Sequence, residues 1–181
     1  MINRTEYLEE LKRWKDKDLI KVVTGIRRCG KSTLFALFID YLKENDVDDK
    51  HIIAINLEDP SYQFDNYMDL YNFVIKQVKS NDKYYVFLDE VQNVPMFQKA
   101  VDGLYIKKNI DLYITGSNAY LLSGELATLL SGRYIEIKML PLSFKEYLSA
   151  FKELDDNLNE YKVFLDYMRN GGMPGNVDIL K

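Results

Sequence analysis

Residues 25–32 read GIRRCGKS, a loop with glycines at both ends of a four-residue gap, followed by lysine and serine. It lies between a β-branched apolar run, LIKVVT at 19–24, and helix-spaced apolar residues, Leu34, Leu37, Phe38 and Leu42. No other stretch constrains the fold as strongly, because the loop needs a strand to deliver it and a helix to leave by. Gly25 and Gly30 let the backbone curl so that successive N–H groups point at one anion. The helix expected over 31–43 adds unsatisfied N–H groups and the positive end of its dipole. Lys31 then supplies a mobile charge for β- and γ-phosphates, and Ser32 a hydroxyl for Mg²⁺, with Thr33 beside it. The loop is expected to hold a nucleotide's phosphates.

Three loop residues read two ways. Arg27 and Arg28 either add positive charge beside the polyphosphate or are solvated loop arginines. Cys29 lies near a helix start and Lys31, a setting that lowers a thiol pKa. Alternatively it fills a permissive position.

The rest of the chain alternates strand and helix patterns. Tyr7, Leu8, Leu11 and Trp14 have the spacing of an amphipathic helix. Further strands are expected at 51–57, 84–90, 111–115 and 133–140. Helices are expected near 67–79, 97–108, 119–130, 143–151 and 158–169, ending in a Gly-Gly stop and a Pro-Gly turn. Several strands are apolar throughout, which predicts an α/β protein with a parallel sheet covered on both faces. Ligands of such sheets bind at the carboxyl ends of the strands.

The chemically suggestive residues fall at those ends. Asp89 closes the run YYVFLDE, where it is placed to hold the Mg²⁺ water shell. Glu90 is placed to accept a proton from, or orient, an attacking water. The other reading is a surface Asp-Glu pair starting a helix. After the fourth strand, Ser117 or Asn118 faces a γ-phosphate or the water, or else Gly-Ser-Asn is an ordinary turn and cap. Arg133, before the fifth strand, either reaches a neighbouring subunit's nucleotide as an arginine finger or is an exposed strand-start arginine. His51 opens a strand and reads as structural.

Composition excludes several classes. The 181-residue chain has a net charge of -4, so nothing in its balance hints at the basic face of sequence-blind nucleic-acid binding. One cysteine forbids an internal disulfide and fits a reducing cytosol. The charged N-terminus is no secretory signal, and no apolar run reaches membrane-span length. A soluble, cytoplasmic protein without membrane association is expected. No cysteine/histidine cluster suggests zinc, and no serine or cysteine has a histidine partner for a triad.

The stretches GIRRCGKSTL, YYVFLDEVQNVPMFQKAVDGLY, LYITGSNAYLLSGELATLLSGRYIEIKMLPLSFKEYL and NGGMPG together resemble the prokaryotic AAA-type ATP-binding proteins. In these an N-terminal P-loop ATPase domain is usually followed by a C-terminal domain of unknown function. The phosphate loop and acidic pair are general to P-loop ATPases; DEVQNVP, TGS…LSGRY and LPLSF are more specific. The resemblance implies an AAA+ core with strand order 5-1-4-3-2. It implies phosphate and Mg²⁺ contacts from Lys31 and Ser32, metal and water roles for Asp89 and Glu90, a sensing role for Ser117, and a finger at Arg133. Asn118 stands where many members carry a second serine. Members are considerably longer, so a fragment is expected, divided into an N-terminal helix (1–17), an ATPase core (18–140) and the start of a following region (141–181).

The leading functional expectation is a Mg²⁺-dependent ATPase that couples hydrolysis to conformational change as a homo-oligomer. A slow-hydrolysing, nucleotide-gated module that recruits a protein or DNA partner uses the same residues. A small-molecule kinase is disfavoured, since no late arginine cluster offers a closing lid. The resemblance implies ATP rather than GTP, and no separate Asn-Lys-x-Asp guanine-reading motif occurs.

Overall fold

The computed structural model describes residues 2, 4–117, 130–152 and 159–180. Five strands alternate with helices: β1 (Ile20–Gly25), β2 (Ile52–Asn56), β3 (Tyr84–Asp89), β4 (Ile110–Gly116) and β5 (Tyr134–Met139). The helices are α1 (Thr5–Trp14), α2 (Lys31–Glu44), α3 (Tyr67–Ile75), α4 (Phe97–Tyr105), α5 (Phe144–Lys152), α6 (Glu160–Asn170) and α7 (Pro174–Leu180). The expected helix over 119–130 lies almost wholly outside the described residues.

All strand pairings are parallel, in the order β2-β3-β4-β1-β5, which is 5-1-4-3-2 from the other edge. The central strands β1, β3 and β4 are buried along their whole length, whereas the edge strands β2 and β5 alternate. That is the difference between a strand covered on both faces and one with an open edge. Adjacent residues serve opposite layers. Val22, Val86, Leu88 and Ile114 pack under α3 and α4, while Val23, Phe87, Tyr113 and Ile137 pack under α1 and α2. On the second face Phe35, Phe38, Phe87 and Tyr113 form an aromatic cluster, with Phe87 stacked on Tyr113 at 4.7 Å between centroids. A third cluster, Leu142, Tyr147, Ala150, Val163 and Val177, joins α5, α6 and α7.

Helix ends differ from the sequence expectation at several places, α4 closing at Tyr105 rather than 108. α3 stops at Ile75 because the next N–H groups bond three residues back: Gln77 N to Val74 O at 3.0 Å and Val78 N to Ile75 O at 3.1 Å. The expected Pro-Gly turn is instead the opening of α7, with Pro174 in the first position, where a missing N–H costs nothing.

At the amino end of the sheet a charge pair is buried. Lys21 and Asp111 form a short ion pair, both almost wholly inaccessible. Lys21 Nζ also donates to Lys17 O at 2.8 Å, and Asp111 Oδ2 accepts from the Tyr113 hydroxyl at 2.8 Å and Asp16 N at 2.9 Å. Burial pulls the Lys21 pKa down, against the carboxylate that raises it. Among the described residues, no helix is long and apolar enough to cross a membrane.

Candidate functional site

The phosphate-loop residues form one wall of a cleft of about 330 Å³ at the carboxyl end of the sheet. Arg27, Arg28, Gly30, Lys31, Ser32 and Thr33 line it, opposite Glu58, Glu90 and Pro174. Gly30 has φ 101°, a left-handed conformation open to glycine at little cost, and hands the chain to α2. Gly25 lies at the loop's root, where a Cβ would stand 2.6 Å from Met139 O and 2.7 Å from Cys29 Sγ. Only glycine lets the loop approach β5 this closely.

Lys31 is 3% exposed although its side chain is charged. Its Nζ lies 3.4 Å from Ile26 O, 3.5 Å from Gly25 O and 3.1 Å from Glu90 Oε1. The ammonium is thus aimed across the loop at the acidic pair. Glu90 has φ 55° and ψ 54°, a left-handed conformation that costs a non-glycine residue about 1–2 kcal/mol. Its second oxygen, Oε2, accepts from Gln92 Nε2 at 2.5 Å. Asp89 is 7% exposed and takes a short hydrogen bond from the Thr115 hydroxyl. The same Thr115 oxygen accepts from Glu90 N at 2.9 Å. Thr115 therefore links β4 to both acids at the end of β3.

The other expected site residues fall in different places. Arg27 is exposed and pairs with Glu58 at 3.1 Å; Arg28 is exposed with φ 67°. Cys29 is fully buried and turned away from the cleft, and burial pushes its thiol pKa up, outweighing the nearby Lys31 and Arg4 charges. Of the two readings of Cys29, this removes the lowered thiol pKa and leaves the permissive position. Ser117 is half-buried just past β4, and Asn118 lies outside the described residues. Arg133 sits at the amino end of β5, where its carbonyl accepts from Ile20 N at 2.8 Å, while Gly25 is level with Met139 at the other end. Its guanidinium pairs with Asp102 at 2.5 Å. It does not join this chain's own cleft. His51 packs edge-on against Tyr84, 4.9 Å between centroids.

Sequence reasoning missed Thr115, Gln92, Glu58 and Pro174. A hydroxyl inside β4 has the signature of ordinary strand propensity. The signal that was present is position: Thr115 ends a strand beside the one that ends in Asp89.

The residues fit a nucleoside triphosphate with Mg²⁺. The cleft offers a glycine-rich loop, a buried lysine and a serine at the helix start. Among the described residues no cluster of three or more His, Cys, Asp or Glu could cage a metal alone. Ser32 with Asp89 suits an ion that keeps several waters and shares phosphate oxygens.

A parallel five-stranded sheet in this order, with this loop after β1, is that of the P-loop ATPases. A profile of the AAA domain family matches residues 17–148, and the chain belongs to that family. An uncharacterised protein of Haemophilus influenzae is 45% identical over 177 residues, covering 96% of this chain and 44% of the relative. A second, from Methanocaldococcus jannaschii, is 33% identical over 169 residues, covering 86% and 35%. The chain thus spans less than half the length of these relatives. Among solved structures, a Walker-type ATPase of Pyrococcus abyssi aligns with TM-score 0.64 at 19% identity, over 98% of this chain and 66% of that one. The ORC1 protein of Aeropyrum pernix, determined in complex with DNA, aligns with TM-score 0.58 at 12% identity, over 82% and 48%. At these identities the structural likeness concerns the fold.

Proposed function

We propose that the chain is the Mg²⁺-dependent, ATP-hydrolysing part of a cytoplasmic AAA-type protein that couples nucleotide state to conformational change. The observation that carries this reading is the meeting of Lys31 and Glu90 in one cleft with the phosphate loop, with the Asp89–Thr115 pair bonded to the Glu90 backbone behind it. In this reading the N–H groups of the loop and Lys31 hold the phosphates. Arg27 and Arg28 add charge at the cleft's rim. Ser32 and Asp89 hold Mg²⁺, which when bound neutralises charge building on the phosphates. Glu90 takes the proton of the attacking water. Ser117 and Asn118, following β4, contact the γ-phosphate end. Arg133 serves a neighbouring copy's site, since it lies at the far end of its own sheet. Residues 1–17, 18–140 and 141–181 act as N-terminal helix, ATPase core and the first helices of a following region.

One observation favours the slower, gated variant of this function. Both oxygens of Glu90 are engaged, one by Lys31 and one by Gln92. A base held this way needs Lys31 drawn off by phosphate before it meets water, so hydrolysis is expected to await a rearrangement. The client that such a state change recruits is a protein or DNA.

The test is Mg²⁺-dependent ATP turnover measured across protein concentrations, with two variants alongside. Lys31→Ala should lose binding. Glu90→Gln should bind ATP but lose turnover by about 10²–10⁴-fold, the usual contribution of a general base. Binding retained in Lys31→Ala would remove the phosphate-loop assignment. Turnover at the wild-type rate in Glu90→Gln would remove the base.

A further inference from the structure

Arg4 is 2% exposed and immediately precedes α1. Its guanidinium reaches three separate parts of the chain. One terminal nitrogen donates to Cys29 O in the phosphate loop at 3.4 Å. The other donates to Leu140 O, just past β5, at 2.6 Å. Nε lies 3.0 Å from Glu146 Oε1 on α5, a charge contact without an aligned hydrogen bond. The other Glu146 oxygen accepts from Ser143 N at 2.8 Å and Ser143 Oγ at 2.9 Å, closing the first turn of α5. Tyr7 completes the setting, with the guanidinium 4.7 Å from its ring centroid and its hydroxyl accepting from Leu140 N at 3.1 Å.

A buried arginine is costly unless its donors are matched, so these contacts specify where the cation sits. It sits behind the loop, since neither Arg4 nor Cys29 lines the cleft while Gly30 and Lys31 do. In a trans peptide the carbonyl and the following N–H point in opposite directions. A donor at Cys29 O on the side away from the cleft, here at 3.4 Å, therefore favours a Gly30 N–H that faces the cleft. Gly30 has no side chain to fix that peptide and occupies a left-handed conformation (φ 101°), so the hold must come from elsewhere.

We propose that Arg4 is a positioning residue for phosphate binding. It fixes the Cys29–Gly30 peptide with its N–H facing the phosphates. Through Leu140 and Glu146 it ties that orientation to α5. The inference rests on the phosphate-loop reading, and its test separates the two.

ATP affinity is measured by titration calorimetry for the wild type, Lys31→Ala, Arg4→Met and Arg4→Lys, with Gly30 amide exchange followed by NMR. The wild type should bind, Lys31→Ala should not, and ATP should protect the Gly30 amide. Arg4→Met should bind about 10-fold more weakly or worse, the usual scale for losing a charge-assisted hydrogen bond, and ATP should no longer protect Gly30. Arg4→Lys keeps the charge but not the planar fork, and should fall between. Weaker binding with Gly30 protection intact would mean a merely structural role and overturn the proposal. So would Arg4→Met at wild-type affinity. If Arg4→Met fails to fold, Arg4→Lys decides: full affinity with full protection overturns the proposal, and a loss of both supports it. A wild type that does not bind ATP would bring down the phosphate-loop reading itself.

Discussion

The Thr115 hydroxyl stands between two carboxylates and serves each differently. It donates to Asp89 and accepts from the backbone of Glu90, whose own side chain is held elsewhere. One atom thus holds both the carboxylate of the proposed metal ligand and the backbone that carries the proposed base. Valine has the same shape and no hydroxyl. Thr115→Val should strand the buried Glu90 N–H and cost about 1–3 kcal/mol, read by denaturant unfolding, while turnover drops further than the loss of stability explains. Stability and turnover both at wild-type values would show that the hydroxyl is incidental. Cys29 teaches the opposite lesson at the same scale. Its neighbours Lys31 and Arg4 favour the thiolate, but full burial outweighs them.

The elements that carry the site are strand ends, and these were the most legible part of the sequence. All five strands lie within a residue or so of their sequence-based limits, because β1, β3 and β4 are unbroken apolar runs that end where polar chemistry begins. Less legible was whatever depends on backbone carbonyls. Arg4 finds Cys29 O and Leu140 O, partners with no sequence signature. The segment after β5 shows the same. Leu142 N donates to Gly172 O at 2.7 Å, and the Tyr167 hydroxyl donates to Leu142 O at 3.0 Å. Residues 140–143 thereby form a strap to which α5, α6 and α7 are all fastened. Gly172 is the tightest point, since a Cβ there would stand 2.2 Å from Leu142 O. Gly172→Ala should push the strap apart and lower stability by about 1–3 kcal/mol, as overpacking does. A variant as stable as the wild type, by thermal or denaturant unfolding, would show that the strap yields freely.

At the scale of the whole molecule, the proposed finger and the cleft of its own chain stand at opposite ends of the sheet. Arg133 lies at the amino end of the sheet and the cleft at the carboxyl end, so a finger role requires a second copy. Arg133→Ala and Lys31→Ala should each be inactive alone. Mixed, they should recover turnover, because an intact loop from one chain meets an intact arginine from the other. A mixture no more active than its components would remove Arg133 from the reaction.

The buried Lys21–Asp111 pair gives the sheet something its apolar residues cannot. Sliding β1 past β4 by two residues would return every side chain to its own face, and a run of valines, leucines and isoleucines would hardly notice. Lys21 is level with Tyr113, two residues past Asp111, so a slip that carries Lys21 further from Asp111 would leave each buried and alone at about 3–5 kcal/mol. Lys21 stands four residues before Gly25, and Asp111 four before Thr115. A two-residue slip would carry the loop about 6–7 Å along the sheet, out of reach of Glu90. The ion pair at one end is thus a zero mark, from which the heights of loop, acids and hydroxyl at the other end are measured.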